Sequence, residues 1–184
     1  MISNHSGVMG IILHFHNCHF MNESKCPVPR EQQPTNEFIE LSKSIVFSWP
    51  KTKKSLILIL VKFWLGTFLL FLLISSGSVY FKTSLLKYML LSLFSSLSIP
   101  LLITIRLYLG WNHVFKRLTS ERIEYEESGW YDGQVWIKPL VLKEKESLIA
   151  SIEVKPILKN LIQIFSIILI ISLSGILLFQ YNNF

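Results

Sequence analysis

Residues 55–75 read SLILILVKFWLGTFLLFLLIS, an apolar run broken by a single charge, Lys62. About 20 such residues at 1.5 Å rise cross a hydrocarbon core of ~30 Å. The apolar side chains follow neither a helical stripe nor a strand alternation, so the surroundings they suit are lipid on all sides. Lys62 lies a third of the way in and is expected to snorkel toward the interface marked by Lys51, Lys53 and Lys54.

Two further blocks repeat the pattern. The second runs from about Leu85 to Leu109, with Lys87 and Arg106 near its ends as interface anchors. Pro100 predicts a kink, since it removes a backbone donor and crowds the preceding turn. Ser92, Ser95, Ser96 and Ser98 form a small-residue patch that suits close approach of another helix. The third block, about Leu158 to Phe179, is nearly all Ile and Leu, with Gln163 its most polar member. Trp49, Trp64, Tyr80, Tyr108, Trp111 and Tyr181 fall near block ends, as an aromatic belt would.

Three crossings place the N-terminal segment and the second connection on one side. All 12 acidic residues lie there, and so do all of the 18 basic residues except Lys62, Lys82 and Lys87. That bias orients both regions to the cytoplasm, or to the stroma of a plastid. It also accounts for the net charge of +6 without any nucleic-acid partner. With 184 residues, 51% of them hydrophobic, the expected fold is a mainly α membrane protein. It has three transmembrane helices, and a β-hairpin plus helix between the second and third. Alanine occurs only at Ala150, a bias that suits an AT-rich coding genome, such as that of a plastid.

The expected organisation is a disordered leader over 1–25, then a Pro-rich motif and an amphipathic interfacial helix over 26–54. A two-helix membrane hairpin over 55–109 follows. The soluble element covers 110–157, and the last helix and a short tail cover 158–184. The leader lacks the basic start of a secretory signal and the arginines of a transit peptide. His14, His16, Cys18 and His19 offer imidazole and thiolate ligands. The competing reading is incidental residues in an unstructured terminus, removed entirely if translation starts at Met21. Two cysteines, Cys18 and Cys26, make no disulfide framework.

Residues 26–34, CPVPREQQP, are held extended or turned by Pro27, Pro29 and Pro34. Residues 36–49 then read as an amphipathic helix, with Phe38, Ile39, Leu41, Ile45 and Val46 on a face that lies on the membrane interface. Between the second and third blocks, Arg122 to Ser128 and Gln134 to Lys138 alternate as two strands. Gly129, Trp130, Tyr131, Asp132 and Gly133 supply the turn between them. Pro139 ends the second strand, and a charged helix from about Lys143 to Asn160 leads into the third block, bent at Pro156.

Glu121, Glu124, Glu126, Glu127 and Asp132 form the one carboxylate cluster. They read either as a hard-cation or acid–base site or as a solvated edge paired with Arg122 and Lys138. Trp130, Tyr131 and Trp136 suit a recognition surface or contact with lipid headgroups. No Ser–His–Asp pattern, phosphate loop or CxxC pair is present. Hence no enzymatic activity, cofactor or bound metal is expected.

CPVPREQQPTNEF, followed by SWP, and ERIEYEESGWYDGQVWIKP resemble the two distinctive stretches of a conserved family, hypothetical chloroplast reading frame thirty-six. The resemblance covers about Cys26 to Leu178, and its motifs occur in the family's order. It implies a plastid membrane location and supplies no catalytic residues. The expected role is a non-enzymatic accessory or assembly factor for photosynthetic membrane complexes, in the thylakoid more than the envelope. It would meet a stromal or membrane protein through Cys26, Pro27, Pro29, Tyr125, Glu126, Glu127, Gly129, Trp130, Tyr131, Asp132, Gly133, Gln134 and Trp136. The alternative is metal or ion handling, iron included, with Cys26 and the hairpin carboxylates as ligands.

Overall fold

The structure is a computed structural model that describes residues 27–77, 85–126 and 133–181. Its first helix, α1, spans Pro34–Lys43. Proline at the first helical position is favoured because its missing N–H has no partner there anyway. Ser44 is extended and stops the helix six residues short of the expected Trp49. The apolar face does not lie free on an interface. Phe38 is buried, Ile39 and Leu41 are partly buried against the core, and only Ile45 and Val46, beyond the helix end, stand exposed.

Helix α2, Lys53–Ser75, has 23 residues, about 34 Å at the usual rise. It buries only Leu56 and Leu60. Leu69 and Leu73 are 62% and 76% exposed, a surface that suits lipid and not water. Lys62 is exposed as well.

The second apolar block forms two helices, α3 over Leu85–Ser96 and α4 over Ser98–Thr119, broken at Leu97. Pro100 explains the break, because it has no N–H to give the carbonyl of Ser96. That carbonyl instead accepts from Thr67 Oγ1 of α2 at 3.3 Å. Two of the serines in the small-residue patch, Ser92 and Ser96, are buried. Ser75 Oγ of α2 lies 2.8 Å from Ser92 Oγ, and Tyr88 donates to the carbonyl of Leu72. Ser98 is exposed.

Helix α4 continues ten residues past the expected Leu109 because its apolar stripe continues. Leu107, Trp111, Val114 and Leu118 are all buried, at the i, i+4, i+7, i+11 spacing of one helix face. Trp111 is therefore a core residue and no belt residue. Its ring meets Phe38 edge-on at 6.1 Å, and its Nε1 donates to the carbonyl of Phe47 at 3.2 Å.

Strands β1, Arg122–Tyr125, and β2, Gln134–Ile137, pair antiparallel with Ile123 opposite Trp136 and Tyr125 opposite Gln134. Helix α5 follows over Leu140–Ile149, and α6 runs over Lys155–Tyr181. A π-helical turn, Ala150–Val154, joins them without a gap. The bend expected at Pro156 is thus a widened turn just ahead of it. Pro156 cannot donate to Ile152, and Lys155 N reaches back to the carbonyl of Ala150 instead. The chain's one alanine is fully buried in the main core with Leu107, Trp111, Leu118, Val154 and Leu161. By length and composition, the helical stretches at Lys53–Ser75, Leu85–Thr119 and Leu140–Leu178 can each cross a membrane. In the third, α5 and the π-helical turn carry charges, and the charge-free length begins only after Lys159.

Candidate functional site

The two motifs separated by some ninety residues of sequence fold onto one another. Val28, between Pro27 and Pro29, is buried against Ile123, Tyr125 and the half-buried Trp136. Register explains which hairpin residues take part. Opposed residues of an antiparallel pair share a face, so Ile123 with Trp136 and Tyr125 with Gln134 form the face that Val28 covers. Arg122 and Glu124 occupy the other face with the exposed Val135 and Ile137.

Past Pro29 the backbone turns, as a short 3-10 segment over Arg30–Gln32. The amide of Gln32 then clamps the end of β1. Its Nε2 donates to the carbonyl of Glu126 at 3.0 Å, and its Oε1 accepts from the N–H of Glu126 at 2.9 Å. A side chain here takes the place of a neighbouring strand. Gln33 Nε2 donates to the carbonyl of Val28 at 3.2 Å, and Asn36 Nδ2 to that of Arg30 at 2.8 Å. Each neutral hydrogen bond contributes about 1 kcal/mol net. Together they hold a segment whose prolines forbid regular pairing.

The end of α4 anchors both motifs. Arg117 donates to the Glu37 carboxylate and, through Nη2, to the carbonyl of Gln32 at 2.8 Å. Burial, the largest influence, raises the Glu37 carboxyl above the usual carboxylate range, against the opposing pull of Arg117. On the hairpin side, Lys138 sends its Nζ inward to the carbonyls of Arg117, at 2.8 Å, and Leu118, at 3.4 Å. An ammonium at the C-terminal end of a helix satisfies carbonyls that lack partners and complements the helix dipole. The same Nζ reaches Glu146 Oε2 of α5 at 2.5 Å. Lys138 is therefore no member of a solvated edge with Glu124 and Glu126, because α5 covers it. Burial pushes the Glu146 carboxyl above its ordinary value, with Lys138 pulling the other way. Glu121 is exposed and bonded to Lys143, which lowers its pKa.

The expected site residues fall into two groups. Pro27, Pro29, Glu126, Gly133 and Gln134 are exposed around this module, while Tyr125 is buried and donates to Gln134 Oε1 at 2.7 Å. Trp136 lies half-buried on Val28 and is no free aromatic. Cys26, Glu127, Gly129, Trp130, Tyr131 and Asp132 lie outside the described residues, as do His14, His16, Cys18 and His19. Sequence reading passed over Gln32, Gln33, Asn36, Glu37, Arg117 and Glu146. A usable signal was present: three amide side chains follow a proline-bounded run whose backbone cannot pair with itself.

These features define a class: a chain with three helical stretches of membrane length among the described residues, whose N-terminal motif and hairpin form one module on the end of the second. The CGLD27-like family pattern, described as conserved in the green lineage and diatoms 27, matches residues 26–167. The chain is 38% identical over 165 residues to the uncharacterized protein ycf36 of Pyropia yezoensis, covering 86% of this chain and 96% of that one. It is 36% identical to the protein of the same name from Cyanophora paradoxa, covering 79% and 92%. Identity to the chloroplastic protein conserved in the green lineage and diatoms 27 of Arabidopsis thaliana is 39%, covering 76% of this chain and 43% of that longer one. The chain belongs to the CGLD27-like family. The chloroplastic relative and the three apolar helices fit a plastid membrane. No solved structure matches the chain.

Proposed function

We propose that this protein is a non-enzymatic, multi-pass protein of the plastid membrane, in the thylakoid, that assists the assembly or maintenance of photosynthetic membrane complexes. Its N-terminal motif and hairpin face the stroma and engage a protein partner there. The supporting observation is the closure of the two motifs into one unit through Val28 and Gln32. A surface already ordered before its partner arrives avoids much of the conformational entropy lost on binding. The exposed rim of Pro27, Pro29, Glu126 and Gln134 surrounds that unit. One-sided charge supports the stromal orientation.

Affinity purification from solubilised plastid membranes tests the reading, together with a gene disruptant. The expected result is co-purification of a photosynthetic membrane subunit or assembly intermediate, lost when Val28 is replaced by Asp. Recovery of the protein alone, with unchanged levels of every photosynthetic complex in the disruptant, would overturn it.

A further inference from the structure

The two edges of the hairpin differ. Lys138 N donates to the carbonyl of Glu121 at 3.0 Å, so this opposed pair is a hydrogen-bonded one. Bonded and non-bonded pairs alternate along an antiparallel ladder. The backbone groups of Arg122 and Glu124 on β1, and of Val135 and Ile137 on β2, therefore point away from the partner strand. On β1 this edge is closed at both ends. The Ser120 hydroxyl accepts from the N–H of Arg122 at 3.2 Å and donates to its carbonyl at 2.8 Å, and Gln32 occupies Glu126. On β2 the N–H and carbonyl groups of Val135 and Ile137 meet no partner among the described residues. Both side chains stand exposed, at 56% and 68%. Pro139, with no N–H, ends the edge. Folded proteins usually block an edge of this kind. Its alternating donors and acceptors match one chemistry, an extended backbone.

The orientation of the sheet narrows the occupant. Lys138 shares the inner face with Ile123, Tyr125 and Trp136. Its Nζ reaches the last-turn carbonyls of α4 and Glu146 in the second turn of α5. Such carbonyls point along the helix axis, so the hairpin lies across the ends of both helices. Two identical strands paired antiparallel are related by a two-fold axis perpendicular to their sheet. Here that axis runs roughly along α4, and hence along the normal of a bilayer that α4 crosses. Copies inserted the same way up then meet edge to edge.

We propose that the free edge of β2 joins two copies of this protein, antiparallel about Trp136, into a four-stranded sheet. Val135 and Ile137 of the second copy exchange both backbone bonds, as do Ile137 and Val135 of the second copy, which uses all four free groups. Each row of the outer face then reads Arg122, Ile137, Val135 of the second copy and Glu124 of the second copy. That is an apolar centre with a polar rim, and no like charges are opposed. The assignment rests on the reading that the helices cross one bilayer.

Full-length protein with Cys18→Ser and Cys26→Ser is reconstituted in phosphatidylcholine vesicles, each chain carrying Val135→Cys or Ile137→Cys. On oxidation, vesicles holding both are expected to yield a crosslinked dimer that neither variant yields alone. Position 135 opposes position 137 within disulfide reach, and like positions lie beyond it. Val135→Pro removes two of the four bonds without touching the ladder to β1. It is expected to weaken association of fluorescently labelled copies about thirtyfold, the scale of two neutral hydrogen bonds. Equal crosslinking in all three preparations overturns the site, as does unaltered association of the Val135→Pro variant. A monomer in the vesicles means that another strand or nothing covers the edge, and overturns it too. Failure to enter the vesicles at all overturns the bilayer reading with it.

Discussion

Lys138 Nζ lies 2.5 Å from Glu146 Oε2, with the two side chains only 0% and 2% exposed. The pair joins the end of β2 to α5 and, through the carbonyls of Arg117 and Leu118, to the end of α4. Removing one partner of a buried ion pair leaves an uncompensated charge, a loss of about 3–5 kcal/mol. Lys138→Met is expected to destabilise by that amount at neutral pH, read by denaturant unfolding in detergent. Burial already raises the Glu146 carboxyl, and losing Lys138 raises it further. A raised folded pKa means that the group's contribution is complete below the ordinary value of 4.5 and lost as pH rises through the folded value. The variant should therefore recover as pH falls toward 4.5, and Lys138→Met with Glu146→Leu should recover at all pH. A loss that deepens on acidification would contradict this account.

The Gln32 amide both donates to and accepts from the backbone of Glu126. Gln32→Glu keeps the acceptor and loses the donor, and Gln32→Leu loses both. Amide hydrogen exchange over residues 122–126 should quicken in the order wild type, Gln32→Glu, Gln32→Leu. The larger step corresponds to about 2 kcal/mol of local opening, two neutral bonds at the usual net value. Unchanged exchange in Gln32→Leu would show that Val28 alone holds the motif to the hairpin.

The membrane-length helices were legible from the chain because long runs of Ile, Leu and Phe have few other folded uses. The hairpin was legible from the alternation of Ile123 with Tyr125 and of Val135 with Ile137. Lys138 was not, since alternation puts it at a strand end and says nothing of the next helix folding back to bring Glu146 onto it. Trp111 reads as an interface anchor because it follows an apolar block. Only the continuation of that stripe through Val114 and Leu118 makes it core. The site's polar clamps, Gln32 and Arg117, act over sequence separations of 94 and 85 residues. No local pattern encodes such a pairing.

Thr67 Oγ1 shares its one proton between the carbonyl of Trp64, at 3.0 Å, and that of Ser96, at 3.3 Å, which Pro100 leaves without its backbone donor. Interhelical hydrogen bonds in membrane proteins contribute about 0.6 kcal/mol on average. Thr67→Val should cost roughly that amount in the native background. Pro100→Ala restores a backbone N–H, so Thr67→Val should cost measurably less in that background. Stability is followed by sodium dodecyl sulfate titration of the four proteins. Equal costs in both backgrounds would mean that the Ser96 carbonyl gains nothing from Thr67.

Gly175 of α6 lies where a Cβ would overlap Cγ, Cδ1 and Cε1 of Phe94 on α3. Because Cγ is among those atoms, spinning the ring cannot clear the space, and either Phe94 leaves its rotamer or the helices part. Gly175→Ala is expected to destabilise by about 1–3 kcal/mol, the usual scale of overpacking. Gly66, inside α2, has nothing within 4 Å of its Cβ position. There the same substitution only removes backbone entropy from the unfolded chain and should stabilise by about 0.5–1 kcal/mol. The opposite signs separate close packing from helix propensity. In a Phe94→Leu background the smaller, flexible side chain can withdraw, and Gly175→Ala should lose most of its cost. If the cost persists in that background, the constraint at Gly175 comes from something other than the Phe94 ring.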